Sequence, residues 1–271
     1  MGYADWSCKV ASDSFRLYRR YIAISIRAQL AYRATFVMKT VGHLLVTGIE
    51  FFGIWALFSR FGTLAGWSLR DVALIYGMAD IAFAIADGTG RGFDKFGTLL
   101  KAGDFDRMLL RPRSTVLQLL GYELQLMRIG RLAQGIVVLA WASGGIAWSA
   151  GSIALVLLSV TGTACLFVGL LVLQATSCFW TIETLEVWNA FTYGGNYAGQ
   201  YPMAIYRRWF QRFFTAIIPL ALTSYYPARA ILGRDDLDVW HLLAPVAGPA
   251  FLAVSFGVWR IGVRHHASTG T

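Results

Sequence analysis

Charged residues are scarce in this sequence. Only 14% of its 271 residues are Asp, Glu, Lys or Arg, and 56% are hydrophobic, whereas a soluble domain averages roughly 25% charged residues. So few charged residues cannot cover the surface of a water-soluble globular domain. This argues against a disordered protein and against an ordinary cytosolic enzyme, and it indicates an integral membrane protein built from α-helices.

Cysteine is scarce as well. The three residues, Cys8, Cys165 and Cys178, form no CxxC motif and are odd in number. We therefore expect free thiols and not a disulfide framework. The N-terminus does not resemble a cleavable signal peptide, because arginines interrupt its first apolar stretch and no small-residue cleavage site follows.

The chain also lacks the motifs of common enzymes. It contains no GxxxxGK[ST] phosphate-binding loop and no HExxH metal motif. The glycine-rich run at 88–92 follows an apolar helix and not a strand, so we interpret it as a helix end. His43 and His241 are isolated, and we expect His265 and His266 to be solvated. These observations predict a chain that is not an enzyme and that holds no cofactor or metal of its own.

Apolar stretches of membrane-spanning length recur along the chain, since about 20 helical residues cross the hydrocarbon core. They are predicted at 35–58, 72–90, 132–149, 152–174 and 240–263. Basic residues concentrate in the N-terminal tail and in the stretch 91–131. Because Lys and Arg collect on the cytoplasmic side, this pattern predicts that both termini are cytoplasmic. The net charge of +9 then belongs to cytoplasmic loops and not to a nucleic-acid surface.

The stretch 175–232 allows two topologies, and both give six spans. In the first, the fourth span is long, 181–208 is cytoplasmic, and the chain spans again at 209–230. In the second, 177–198 is the fifth span and 202–232 dips into the membrane from the outer face.

Charge and proline favour different topologies for this stretch. The first topology places Arg207, Arg208 and Arg212 on the inner side, as the charge rule prefers. The second uses three prolines to break the dipping segment into short helices. They are Pro202, Pro219 and Pro227.

Residues 14–34 predict a basic amphipathic helix. Arg16, Arg20 and Arg27 share one stripe at helical spacing, and apolar residues populate the other side. Such a helix suits the headgroup region, where its arginines meet anionic lipid. The alternative is a solvated helix that packs on protein.

Several ionisable residues fall within the predicted spans. They are Lys39, His43, Glu50, Asp80, Asp87, Glu183 and Glu186. Such groups cost about 2.5–3.5 kcal/mol in hydrocarbon, so they normally face the bundle interior and find partners. Lys39 and Asp87 lie at similar depth, and we expect them to pair, either as a structural pin or as a relay. The carboxylates line a polar path or are satisfied by buried backbone and hydroxyl groups.

The loop 93–114 mixes apolar residues with charges of both signs. A loop in plain solvent does not need that mixture. An amphipathic element outside the membrane indicates a docking surface for a partner protein. The alternative is that these apolar side chains pack beneath the membrane surface.

The order of these features resembles an ABC-2-type transporter permease. Pro202 to Phe210 is similar to the family motif P-x-x-(I/L)-Y-x-x-W-(L/F) that begins its outer re-entrant hairpin, and Ile218-Pro219-Leu220 with Tyr226-Pro227-Ala228 resembles the hairpin's end. Gly103 to Asp106 with Leu109 to Pro112 resembles the loop of an uncharacterised six-span branch, whose permeases are encoded in pairs beside one ATPase. Arg207 departs from this branch, which often has proline there.

The resemblance implies a domain organisation and two groups of site residues. It implies a cytoplasmic tail and amphipathic connecting helix at 1–34, a transmembrane domain at 35–264 and a cytoplasmic tail at 265–271. Within the coupling loop 91–114 the ATPase-coupling residues are Phe93, Leu99, Leu100, Asp104, Phe105, Asp106, Arg107 and Leu109. Within the hairpin 202–232 the outer-gate residues are Pro202, Trp209, Pro219, Tyr226 and Pro227.

The resemblance also implies partners and a location. The chain would join a second, distinct permease and two copies of an ABC ATPase that binds ATP and Mg²⁺. It would act as an exporter in the bacterial inner membrane, in contact with lipid and not with nucleic acid. The alternatives are a proton-coupled secondary transporter that uses the acids in the spans, and a membrane-embedded lipid-modifying enzyme.

Overall fold

The fold is helical throughout the described residues, which are 3–181 and 185–266 of a computed structural model. Side chains are described from residue 16 onward, except for residue 185. The predicted intramembrane residue Glu183 lies outside these ranges. The helices are α1 (Tyr3–Ala31), α2 (Arg33–Phe61), α3 (Leu69–Thr89), α4 (Arg91–Asp94), α5 (Phe96–Lys101), α6 (Asp104–Leu109), α7 (Thr115–Leu120), α8 (Ile129–Ala142), α9 (Ala150–Ser177), α10 (Leu185–Gly199), α11 (Arg208–Ala216), α12 (Tyr226–Ile231), α13 (Val239–Leu243) and α14 (Ala247–His265).

Three described helical segments are long and apolar enough to cross a membrane. They are Arg33–Phe61, Ala150–Ser177 and Val239–His265, the last joining α13 and α14 through a short 3₁₀ turn. They coincide with the predicted first, fourth and last spans. At the other two predicted spans the chain forms α3, which is almost entirely buried, and α8, which has 14 residues. The count of six spans stays a prediction.

The predicted amphipathic helix is the second half of α1. Tyr32, with φ −110° and ψ 66°, separates α1 from α2. Arg16, Arg20 and Arg27 are exposed, as their shared stripe predicts. On the opposite side α1 docks onto the segment before α8. There the Ser25 hydroxyl accepts a hydrogen bond from Leu124 N at 3.1 Å, so the contact fixes α1 against the loop 91–131.

The core of the bundle is formed by α9 packed against α14 and by α3 packed between α8 and α9. Glycines let α9 and α14 touch backbone to backbone. A Cβ added to Gly248 would lie 1.9 Å from the carbonyl oxygen of Gly162. Small residues at such crossings bring helices close enough for extensive van der Waals contact, which is how helices associate in lipid.

The segment 202–232 consists of short helical pieces. A 3₁₀ turn at Met203–Ile205 leads to α11, the chain leaves the helix at 217–219, and a π-helical stretch, Ala221–Tyr225, runs into α12. The stretch 209–230 is therefore not one continuous helix, and both topologies for it stay predictions. Pro219 lies at the break, as expected for a residue that cannot continue a helix.

One further expectation for this region needs correction. Pro227 does not break a helix, because the π-helical stretch runs directly into α12 across it. In the predicted fifth span at 177–198 the described helix is Leu185–Gly199, and this span stays a prediction.

Candidate functional site

Buried charges meet where α3, α8 and α2 come together, and Arg131 is at the centre. Its Nε donates to Asp80 Oδ1 at 2.6 Å, and its Nη2 lies 3.6 Å from Glu50 Oε2. Tyr197 on α10 closes the group, because its hydroxyl donates to Glu50 Oε1 at 3.1 Å. We call these four residues the Arg131 network. The network joins two predicted intramembrane carboxylates, Glu50 and Asp80, through the guanidinium of Arg131, which the sequence places in the loop 91–131.

Aromatic and amide groups complete this surrounding. The Arg131 guanidinium lies 4.9 Å from the centre of the Phe83 ring, within the range of a cation–π contact. One helical turn further along α8, Gln134 Nε2 donates to the Thr47 carbonyl at 2.7 Å and to the Tyr76 hydroxyl at 3.2 Å. The interface between α2, α3 and α8 is thus polar over several turns.

Asp87 has a different partner from the one predicted. Its Oδ2 lies 2.8 Å from Arg128 Nη2, and Arg128 Nε donates to Gln125 Oε1 at 3.1 Å. Lys39 is exposed and lines a cavity of about 240 Å³ beside Glu123. The predicted Lys39–Asp87 pair is therefore wrong, because Arg128 reaches Asp87 from the start of α8.

His43 and Glu186, the remaining predicted intramembrane residues within the described ranges, do not join the network through a hydrogen bond or ion pair. His43 is half-buried on α2, and its backbone carbonyl accepts from the Thr47 hydroxyl at 2.9 Å. Glu186 is exposed near the start of α10. Within the described ranges, His, Cys, Asp and Glu do not gather in groups of three or more that could hold a metal ion.

The predicted coupling loop folds around an aromatic cluster. Phe93, Phe96 and Phe105 are fully buried against Trp259 of α14, with ring centroids 5.0–6.1 Å from the indole. Leu99 is buried in the same cluster. We call this group the aromatic base. The side chains of Phe93, Leu99 and Phe105 thus face the interior of the protein and are not exposed for a partner.

The exposed part of the loop is the turn between α5 and α6 and the residues after it. Gly103 makes this turn with φ +71°, a conformation that glycine adopts without strain. Arg107, Leu109 and Leu110 are exposed, the last by 86% of its surface. Leu100, Asp104 and Asp106 are half-buried, and His266 Nε2 lies 2.8 Å from Asp106 Oδ1. We call the segment 100–113 the loop tip.

An ion pair fastens the loop at its other side. Lys95 Nζ donates to Glu123 Oε2 at 2.7 Å. Partial burial acts to raise the pKa of the Glu123 carboxyl, but the hydrogen bond and charge of Lys95 outweigh it and hold that pKa below its ordinary value. The Glu123 carboxylate therefore stays ionised at neutral pH, and its contact with Lys95 ties the start of α5 to the segment before α8.

The predicted outer-gate residues spread over the segment 202–232. Pro202 and Pro227 are buried, Pro219 and Tyr226 are half-buried, and Trp209 is exposed. These five residues do not form one cluster of side chains. They belong to separate pieces of the segment, namely the turn before α11, α11 itself, the break at 217–219 and α12.

A clasp that the sequence did not reveal follows this segment. Arg234 Nη2 donates to Asp71 Oδ2 and to the Gly66 carbonyl, each at 2.8 Å, and its guanidinium lies 4.1 Å from the Trp67 ring centre. Trp67 in turn packs against Tyr225, with ring centroids 5.6 Å apart. The end of 202–232 is thereby held against the link between α2 and α3.

A signal for Arg128 and Arg131 was present in the sequence. The two arginines and Gln134 are three residues apart, which places them on one helical face. The apolar sequence that follows residue 129 indicates that these residues belong to the next helix and not to the loop. Arg234 and Trp259 offered no local signal, because their partners lie far away in the chain.

Comparison with known proteins supports the family suggested by the sequence motifs. A family model described as "ABC-2 family transporter protein" matches residues 44–270, from within α2 to beyond the end of α14. Comparison with curated proteins and with solved structures gives no match. Because the family match covers most of the chain, this polypeptide belongs to the ABC-2 family of transporter membrane proteins.

Proposed function

We propose that the chain is the transmembrane subunit of an ATP-driven exporter, in which a separate ABC ATPase hydrolyses ATP. The observation that carries this proposal is the exposed loop tip mounted on the aromatic base. Family membership adds that permeases of this type generally associate with an ATPase component. The sequence contains no phosphate-binding loop, which agrees with a separate ATPase that supplies the work of transport.

The loop tip is suited to receive a push from that partner. The aromatic base joins α5 and α6 to α14 through Trp259, and to the end of α9 through Phe179 and Cys178. Close-packed interiors transmit displacement because they have low compressibility. A movement of the ATPase against 100–113 would therefore shift α9 and α14, the two helices that pack against each other in the core of the bundle.

In the proposed assembly the chain pairs with a second, distinct permease and two ATPase copies in the bacterial inner membrane. It has six spans and cytoplasmic termini, and ATP and Mg²⁺ bind only to the ATPase. Support for a permease partner comes from α2, which exposes a broad apolar face. Met38, Leu45, Ile49 and Phe52 are each at least 60% exposed. Exposed arginines of α1 would rest on lipid headgroups.

The segment 202–232 would be re-entrant and would gate the outer end of the path. Short helices interrupted at 217–219 suit such a segment, because irregular backbone at membrane depth is tolerated where protein buries it. Ile218 and Leu220 at the interruption are buried. The clasp of Arg234 on Asp71 would hold this gate closed.

The experiment is co-purification of the ATPase with single variants of the full chain. Leu110→Asp places a charge at the most exposed apolar residue of the loop tip and should release the ATPase. Leu237→Asp is the matched control, because Leu237 is also exposed but lies in the link before α13. The ATPase is identified by peptides containing its phosphate-binding loop.

Equal retention of the ATPase by both variants would contradict coupling through the loop tip. Both variants must elute at the wild-type position in size exclusion, so that a loss of ATPase reports the contact and not the fold.

A further inference from the structure

We propose that Glu50 and Tyr197 form a binding site for a positively charged group of the cargo, backed by the buried Asp80–Arg131 pair. This inference deepens the proposed function and rests on it, because it assumes that a path for cargo runs beside α2 and α10. The ligand class is an organic cation, such as an amine or a quaternary ammonium or phosphonium group on an apolar body.

The charge balance of the Arg131 network favours a cation. Two carboxylates, Asp80 and Glu50, share one guanidinium. The next guanidinium along α8, that of Arg128, is paired with Asp87. The Arg131 network therefore has one negative charge in excess. This excess belongs to Glu50, because its contact with Arg131, at 3.6 Å, is the longer of the two.

An unpartnered polar atom is a second observation. Arg131 and Asp80 are more than nine-tenths buried. Arg131 Nη2 and Glu50 Oε2 make no hydrogen bond but face each other as an ion pair at 3.6 Å, whereas Asp80 Oδ2 has no hydrogen-bond partner in the part of the chain that the structure describes. Buried polar atoms normally find partners. The unmet demand is therefore that of a carboxylate oxygen for a donor or a positive charge.

Accessibility identifies where the cation would arrive. The side chain of Glu50 is 22% exposed and Tyr197 is 49% exposed, whereas Asp80 and Arg131 lie behind them. The Tyr197 hydroxyl bridges α10 and α2 at this point. An ionised carboxylate that faced lipid here would be costly. The proposed polar path would solvate Glu50 at this point, and the Tyr197 ring can add a cation–π contact.

The test measures equilibrium binding of two probes to the full chain in nanodiscs, with empty nanodiscs subtracted. Tetraphenylphosphonium and tetraphenylborate have nearly the same size and shape but opposite charge. We expect the wild-type chain to bind the cation and to disfavour the anion. Glu50→Gln should weaken cation binding about tenfold, because it removes the excess negative charge of the Arg131 network.

Two further variants keep this test decisive. Asp236→Asn removes an exposed carboxylate outside the Arg131 network and should leave both affinities unchanged. Tyr197→Phe keeps the ring but removes the hydroxyl that holds Glu50, and should weaken cation binding by a few fold. It serves as the test variant if Glu50→Gln fails to fold.

Several outcomes would overturn the cation site. They are equal binding of cation and anion by the wild-type chain, unchanged cation binding in Glu50→Gln, and dependence of the site on chain dimerisation, which would assign Glu50 to a contact between copies. The measurement needs neither ATP nor ATPase. Loss of the cation site therefore leaves the Leu110 result standing, and failure of ATPase co-purification leaves the binding result standing.

Discussion

Removal of the Asp80 carboxylate gives the sharpest view of what the Arg131 network contributes to the fold. Asp80 is fully buried and accepts the shortest hydrogen bond of Arg131, at 2.6 Å. The substitution Asp80→Leu keeps the branched shape of the side chain, with methyl groups in place of the carboxylate oxygens, but leaves the guanidinium with Glu50 as its remaining counter-charge at 3.6 Å. The buried charge of Arg131 is then poorly compensated.

The expected cost follows from this geometry. Breaking a buried ion pair by removing one partner costs about 3–5 kcal/mol, and the residual contact with Glu50 places Asp80→Leu at the lower end, about 3 kcal/mol. For a domain of this size 1 kcal/mol shifts the thermal midpoint by about 2–4 °C, so the midpoint should fall by about 6–12 °C. Adding Arg131→Met removes the poorly compensated guanidinium and should restore about half of the loss. Glu50 then lacks its counter-charge, but its side chain is partly exposed and can be solvated.

The assay is the thermal midpoint of the detergent-purified chain, followed by the decay of its size-exclusion peak after heating. Asp236→Leu is the control, because it removes an exposed carboxylate and should change stability by less than about 0.5 kcal/mol. If the double variant were as unstable as Asp80→Leu alone, the uncompensated charge would not be the cause of the loss, and the reasoning would fail.

Three other predictions concern packing and the clasp. Trp259→Ala should cost about 3–5 kcal/mol and increase proteolysis of the loop tip, because it removes the centre of the aromatic base. Gly248→Val should abolish folded yield, since its Cβ would lie 1.9 Å from a carbonyl oxygen of α9, whereas Gly257→Val on the same helix meets open space and should fold normally. Arg234→Gln should change stability by less than about 1 kcal/mol, because the pair is partly exposed, but should speed hydrogen exchange at 62–68.

The helical architecture could be predicted because apolar runs set both the helix type and its extent. The first, fourth and last predicted spans coincide with apolar helices of membrane-spanning length. The burial of Asp80 and Asp87 also followed from the cost of charge in hydrocarbon. In each case local composition and periodicity were sufficient, because the decisive free energy is that of transfer from water.

The partners of these groups could not be predicted, because they depend on how helices rotate and where they cross. The sequence places Arg128 and Arg131 in the loop 91–131, which leaves the acids on α3 without a visible partner. Depth in the membrane alone then points to Lys39. Phe105 is predicted to face a partner because its own contact in the fold is equally invisible in the sequence. The residue that buries it, Trp259, comes from the last helix, and neither spacing nor composition connects the two.

The central claim is that this chain conducts cargo passively while another protein hydrolyses ATP. The most direct measurement is ATP hydrolysis and tetraphenylphosphonium movement in liposomes that contain the chain alone or the chain with its co-purified ATPase. The account predicts that both activities require the ATPase and are lost when the lysine of its phosphate-binding loop is replaced. Movement of the probe down an imposed ion gradient by the chain alone, or ATP hydrolysis by the chain alone, would contradict it.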